Sequence, residues 1–405
     1  MIIGGFGYQV LNGAAFLISS YYSLFANGLG LTHMQVGTCM TMVGIVTTIG
    51  YFLGGVLGDI FKAKVLMIIS HVGCAITLLF MTTMPSFTVV LVLEFLLGFF
   101  TSATYWGGMT RFIKSLGEKQ IEGKLYGFFY GFTGLSGTII GLIVAAMVAK
   151  SGNVVGLKLL LTTFAVVNIL AATIVLIFYK GYQDKPMDEN EKFKMEYFWQ
   201  VVRMPDVWLV AGITFCAVMI YSVMAYFSPM LEADFGVSAA VITAVVTIRV
   251  HFVRLLISPV AGVFVDRFNS PLKVMRIALW LSLVIVAIIT AMPWTPTFAW
   301  IAIGALLLMS VLFNIATPCW FTTVSEIGIP EKMRATAVGL ACAITFSGDI
   351  WIYLIGGKLI DSYGSTGYRI YFSMTLLFFV GGLVLSYIAK KRLDKRALVL
   401  QAATA

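Results

Sequence analysis

Apolar runs of about 20 residues recur from one end of this chain to the other, and no other feature constrains its fold so strongly. Each run is long enough to cross a bilayer as an α-helix, at about 1.5 Å of rise per residue. Only α-helices and closed β-barrels satisfy their backbone polar groups in lipid, and these runs lack the period-two alternation of a barrel strand. Of 405 residues, 60% are hydrophobic and 11% charged, where a soluble domain carries roughly 25% charged residues. With short connections the chain has room for roughly twelve spans.

Breaking the runs at Gly, Pro and charge predicts helices near residues 4–28, 34–58, 65–84, 86–111, 123–148, 158–179, 206–229, 238–263, 273–292, 297–322, 334–357 and 369–389. The one long polar segment, Lys180 to Pro205, separates two six-helix halves. The domain reading is therefore an N-terminal bundle over 1–180, a cytoplasmic linker over 181–205, a C-terminal bundle over 206–392 and a cytoplasmic tail over 393–405. With both termini in the cytoplasm, 21 of the 27 Lys and Arg residues fall in cytoplasmic loops or tail, and the positive-inside rule selects that orientation. The net charge of +9 then reflects topology and not a nucleic-acid partner. The apolar stretch from Ile2 lacks a basic leader and a small-residue cleavage site, so it reads as the first helix and not as a signal peptide. Cys39, Cys74, Cys216, Cys319 and Cys342 lie inside apolar runs without metal-ligand spacing and imply neither a disulfide framework nor a metal site.

The halves repeat. Gly55-Val56-Leu57-Gly58-Asp59 after the second helix recurs as Gly262-Val263-Phe264-Val265-Asp266-Arg267 after the eighth. Gly123-x-x-x-Gly127 opening the fifth recurs as Ala335-x-x-x-Gly339 opening the eleventh. Repeats of this kind mark transporters built from related bundles. The loops resemble the signature of the major facilitator superfamily, Gly-x-x-x-Asp-Arg-x-Gly-Arg-Arg between helices 2 and 3, and its weaker copy between helices 8 and 9. The resemblance implies an all-α fold of twelve transmembrane helices in two pseudo-symmetric bundles, and a monomer. It also implies a gating role for Gly55, Asp59, Gly262, Asp266 and Arg267. Ile60, Lys62 and Ala63 depart from the first signature, leaving Lys62 and Lys64 as the basic partners of an altered latch; the alternative is that Asp59 only caps a helix and the lysines only set topology. The segment Glu326 to Arg334 resembles a poorly characterised group of bacterial permeases in this superfamily, placing the chain in a bacterial inner membrane. Glu94 stands where many members carry Arg, and Thr138 stands where drug antiporters show Pro after Gly, which weakens a multidrug-exporter reading.

Ionisable side chains at bilayer depth cost roughly 2.5–3.5 kcal/mol on insertion scales and mark function by default. There are five: Glu94, Arg249, His251, Arg254 and Asp349. At about 100° per residue, Thr243, Thr247, His251, Arg254 and Ser258 share one stripe, expected to face an aqueous cavity, with Arg254 and His251 as the main substrate contacts. Arg249 falls on the other side, and two readings stay open: it pairs with an acidic residue on a neighbouring helix, or a local distortion turns it into the pore. Guanidinium forks suit carboxylate or phosphate, so the expected substrate is a small organic anion. If both arginines are instead neutralised by Glu94 and Asp349, the cargo is a neutral or zwitterionic metabolite. Asp349 or Glu94 is the expected proton site, because pairing and unpairing as the bundles move couples protonation to transport. Tyr8, Asn12, Tyr226 and Asn314 are further cavity-wall candidates, the buried amides above all because they need partners in lipid.

No Gly-rich phosphate loop, nucleophile constellation or paired histidine appears, which argues against an ATP-driven pump, an enzyme, a metal or a cofactor. The sequence thus predicts a proton-coupled or exchange carrier working by alternating access, with the neutral-solute carrier and a transport-inactive receptor as alternatives.

Overall fold

The computed structural model describes residues 2–109, 112, 122–148, 151–179, 195–268, 270–329 and 331–404. The surroundings of Gly55, Asp59, Gly262 and Asp266, all named as gating candidates, lie outside the described residues. Among the described residues, twelve helical passages make up the two bundles: α1 (2–29), α2 (His33–Ile60), α3 (Ala63–Met81), α4 (Phe87–Met109), α5 (Glu122–Val148) and α6 (Asn153–Phe178) in the first, then α7 (Pro205–Ala233), α8 (239–268), α9 (Pro271–Ala291), α10 (299–326), α11 (331–363) and α12 (Ser365–Thr404) in the second. A short helix, Met195–Val202, precedes α7. The far end of the molecule, opposite the chain termini, carries the turns near residues 30, 84, 152, 236, 294 and 364.

Several helices differ from the sequence expectation. The helix α6 begins at Asn153 and takes in Lys158, α11 runs on to Tyr363 past Lys358 and Asp361, and α12 continues as one helix to Thr404 where a tail was expected. Long basic side chains near a membrane surface lift their charge to water while the backbone stays helical, so charge alone does not end a span. Other helices are interrupted within the membrane: α1 breaks at Phe16 and Tyr21, α4 and α8 contain π-turns over Phe100–Tyr105 and Ile248–Phe252, and α11 tightens to a 3₁₀ turn over Ser347–Ile350. Such interruptions free backbone groups and re-aim side chains, and they concentrate at functional places.

Outward faces are apolar, with Trp300 74% and Leu377 71% exposed, as a surface solvated by lipid tails requires. Inside each bundle, hydroxyls and amides find backbone partners on neighbouring helices. The Tyr105 hydroxyl donates to Gly4 O at 3.0 Å, joining α4 to α1, and the Tyr371 hydroxyl donates to Ser222 O at 3.1 Å, joining α12 to α7. Lys64, a gating candidate, donates to Leu176 O of α6 at 3.0 Å, while Lys62 and Arg267 are exposed.

Small residues let the two bundles meet along a pair of seams. On α2, a Cβ at Gly37 would lie 2.4 Å from Tyr353 O of α11, and one at Gly44 would lie 2.9 Å from Asp349 O. On α5, a Cβ at Gly137 would lie 2.3 Å from His251 Nδ1 of α8, and one at Gly141 2.6 Å from the Thr247 methyl. Only glycine permits approaches this close.

Candidate substrate site between the bundles

The π-turn over Ile248–Phe252 decides which way the ionisable residues of α8 face. Thr247 and His251 point into the α5 seam: Thr247 Oγ1 donates to Gly141 O at 3.2 Å, and His251 Nδ1 lies 3.3 Å from Gln9 Nε2 of α1. The expected stripe therefore does not line an open cavity at these two residues; the α5 glycines bring that helix directly against it. Arg254, one turn nearer the chain termini, is half-buried, and no carboxylate pairs with it among the described residues.

Arg249 is turned by the extra π residue toward the middle of the molecule. It is only 3% exposed, its Nη1 reaches Met224 Sδ at 3.9 Å, and its guanidinium carbon sits 6.0 Å from the Tyr221 ring centre. Tyr21 of α1 and Tyr353 of α11 complete its electrostatic surroundings. Its backbone is held from α10, where Ser310 Oγ donates to Arg249 O at 2.7 Å. Of the two readings open at the sequence level, the local distortion is present and the acidic partner is not, among the described residues. The pairing of Arg249 or Arg254 with Glu94 or Asp349 is likewise absent there.

Arg249 Nε is buried without a hydrogen-bond partner, while the Tyr21 hydroxyl lies against Thr247 and Ser222 Oγ against the Tyr353 side chain. Ser222 and Arg249 both neighbour Tyr353. Native structures leave few buried donors unpaired, and a free guanidinium N–H beside hydroxyls of α1 and α7 is suited to an oxygen-rich anion.

The two carboxylates differ in position. Asp349 lies in the 3₁₀ turn of α11 and borders, with Ser19, Met40, Gly44 and Tyr353, a void of about 10 Å³, the size of one water. It thus sits on the seam between bundles. Glu94 is 0% exposed inside the first bundle, beside Cys39 of α2 and Cys74 of α3, with neither carboxyl oxygen paired.

Other candidates fall elsewhere. Asn12 donates to the Tyr8 hydroxyl at 3.5 Å, and Tyr8 packs with Tyr105 and Trp106 in the first bundle. Asn314 donates to Ser310 O on its own helix at 2.8 Å, one bond from the group that anchors Arg249. Tyr226 belongs to the closed far end: its hydroxyl donates to Tyr353 O, and its ring packs at a tilt against Tyr22 and edge-on against Tyr371. Alongside it, Asp361 of α11 accepts from the backbone N–H groups of His33 and Met34 at 2.9 and 2.6 Å, so a carboxylate of one bundle caps the N-terminus of α2 in the other. Asn27 donates to Glu232 across the same gap at 3.2 Å. Gln9, Tyr21, Tyr353 and Asp361 were not singled out by sequence reasoning. Gln9 alone carried a signal, as a second amide beside Asn12 in a largely apolar helix.

A sequence profile described as Major Facilitator Superfamily matches residues 3–352. The inner membrane protein YihN of Escherichia coli (strain K12) is 22% identical over 382 residues, which cover 93% of this chain and 91% of that protein. Among solved structures, a mutant form of the nucleoside transporter NupG matches with a TM-score of 0.77 at 14% identity, over 96% of this chain and 98% of that one. A bacterial homologue of the human lysosomal transporter Spinster, in an inward-facing and occupied conformation, matches at 0.74 and 13% identity over 96% of both chains. At these identities the structures share the fold.

Proposed function

Because the chain belongs to the major facilitator superfamily and is a multi-pass secondary transporter, we propose that it carries a small organic anion, a carboxylate or phosphorylated metabolite, together with a proton by alternating access between its bundles. The observation that carries this reading is Arg249: a guanidinium 3% exposed, between the bundles, with no carboxylate partner among the described residues and its Nε unpaired. An uncompensated buried charge costs several kcal/mol, and an arriving anion supplies the missing counter-charge along with an acceptor for Arg249 Nε. Binding therefore favours the state in which the site is enclosed, which is what a carrier needs from its substrate.

Arg254 stands on the near-end side of Arg249 and forms the approach, while His251 is packed into the α5 seam. By the distribution of basic residues the near end is cytoplasmic and the closed far end faces outside, with residues 1–180 and 206–392 as the moving units. Asp349 is the proton site in this scheme. It shares Tyr353 with Arg249 and borders the water-sized void, so movement of α11 along α2 changes its access to water. Neutralising Asp349 by a proton and Arg249 by an anion together leaves a seam without net charge. The gating corners around Asp59 and Asp266 would close the cytoplasmic side in the opposite state.

A second reading, a neutral cargo such as the nucleoside carried by the structurally similar NupG, needs no free guanidinium at the seam. A thermal-shift screen of purified wild type and Arg249→Gln against carboxylates, organophosphates, sugars and nucleosides separates the two. The anion carrier requires that one anionic group stabilise wild type and not the variant. Equal stabilisation of both proteins by a neutral solute would make Arg249 structural and install the second reading.

A further inference from the structure

A cleft of about 540 Å³ lies at the near end on the outer side of the second bundle, away from the seam, between the start of α9, the end of α10 and the outgoing part of α12. Three cations line it: Lys273 and Arg276 from α9 and Lys390 from α12. Its carboxylates are not equivalent. Glu326 accepts from Ser270 Oγ at 2.5 Å and from Leu272 N at 2.8 Å, so its oxygens are committed to closing the N-terminus of α9. Asp394 is exposed, one turn past Lys390. Arg276 is held in place by stacking on Tyr387, with its guanidinium carbon 4.8 Å from the ring centre.

On the membrane side the cleft opens onto apolar surface. Ile277, Trp280, Val284, Val384 and Ile388 are all exposed there, with the half-exposed Trp280 and Tyr387 marking the boundary between polar and apolar zones. A ligand fitting both zones has a phosphate-bearing head and hydrocarbon tails. Exposed aromatics beside basic residues are the side chains that interfacial anchoring uses, and basic pockets between transmembrane helices hold anionic head groups. We propose that this cleft is a binding site for one anionic glycerophospholipid, its phosphate held by Lys273, Arg276 and Lys390 and its acyl chains lying along the outer faces of α9 and α12.

Such a lipid bridges α9 to the long α12 helix at a place that lies off the transport path. It therefore ties the second bundle to the composition of the surrounding leaflet without touching the substrate. The proposal is independent of which solute is carried.

Native mass spectrometry of the detergent-purified full chain tests it, with equimolar phosphatidylglycerol and phosphatidylcholine added. Wild type should retain phosphatidylglycerol several-fold over phosphatidylcholine, and the Lys273→Gln/Lys390→Gln double variant should bring the ratio near unity. A control, Lys391→Gln/Lys395→Gln, removes two exposed charges of the same helix that lie outside the cleft and should leave the preference intact. Lipid-free melting temperatures of the three proteins establish that they are folded, and Lys273→Arg/Lys390→Arg should keep the preference. An unchanged ratio in the cleft variant, or an equal loss in the control, would overturn the site. Displacement of the bound lipid by millimolar glycerol phosphate would overturn it in favour of a soluble phosphate ligand.

Discussion

Replacing Asp361 by alanine removes the carboxylate that closes two backbone N–H groups at the start of α2, and both bonds run from one bundle to the other. They exist only while the far end is shut, so their loss acts on the balance between transport states. Hydrogen bonds to a charged group contribute about 1.5–3 kcal/mol each. These lie near water, which reclaims the freed N–H groups, so the loss is closer to that of a good helix cap, about 1.5–2 kcal/mol for the pair. At about 1.4 kcal/mol per tenfold, the far-end-closed to far-end-open ratio falls roughly 10- to 30-fold. A 99:1 population would move to between about 10:1 and 3:1.

Spin labels at Thr83→Cys and Thr297→Cys, both exposed at the far end on opposite bundles, report the change in a background where the five native cysteines are serine. Pulsed dipolar spectroscopy should show a second, longer distance in Asp361→Ala, weak or missing in the parent. Distance distributions that do not move, with melting temperature also unchanged, would refute the reasoning. The packing of Gly357 on His33 O would then hold the end shut without the cap.

Gly37→Ala should act in the same direction, because its Cβ would meet Tyr353 O at 2.4 Å and neither backbone can give way; a cost of about 1–3 kcal/mol to the closed far end follows from overpacking, read with the same labels. Asp349→Asn should keep solute counterflow in proteoliposomes but lose the acceleration of uptake by acid on the entry side. Glu94→Gln, inside one bundle, should keep that acceleration; loss of pH dependence in Glu94→Gln alone would transfer the proton to Glu94. Arg254→Gln should raise KM for an anionic solute several-fold with kcat nearly unchanged, and should flatten the dependence of KM on salt, as removal of an approach charge does. A matching fall in kcat would instead place Arg254 at the enclosed site.

Span number and the split into halves could be read because apolar runs and basic loops answer to the bilayer, a uniform external solvent. The α5 glycines were visible too, and they form the seam against α8. Angular reading left Arg249 open between an acidic neighbour and a local distortion for a definite reason. It assumes a constant turn per residue, and only the fold shows the π-turn over Ile248–Phe252, which adds one residue. Asp361 carried no sequence signal at all: its partners lie 328 and 327 residues away, and one Asp near a helix end looks like any surface carboxylate. Tyr21, Tyr221 and Tyr353 were hidden among the 17 tyrosines, since only the folded bundles bring them to one guanidinium.

The surplus residue in α8 has a consequence for how such a site can diversify. In a regular helix a single-residue deletion rotates everything beyond it and ruins the packing. Within Ile248–Phe252 the same deletion would restore ordinary helical bonding, with Thr247 and Val253 keeping their places on either side. Only the intervening side chains would turn, by about 100°, and a different one would be presented to Tyr21, Tyr221 and Tyr353. Here a change in chain length can do what elsewhere takes a set of coordinated substitutions, exchanging the chemistry offered to cargo while the glycine-lined seam beside it stays as it is.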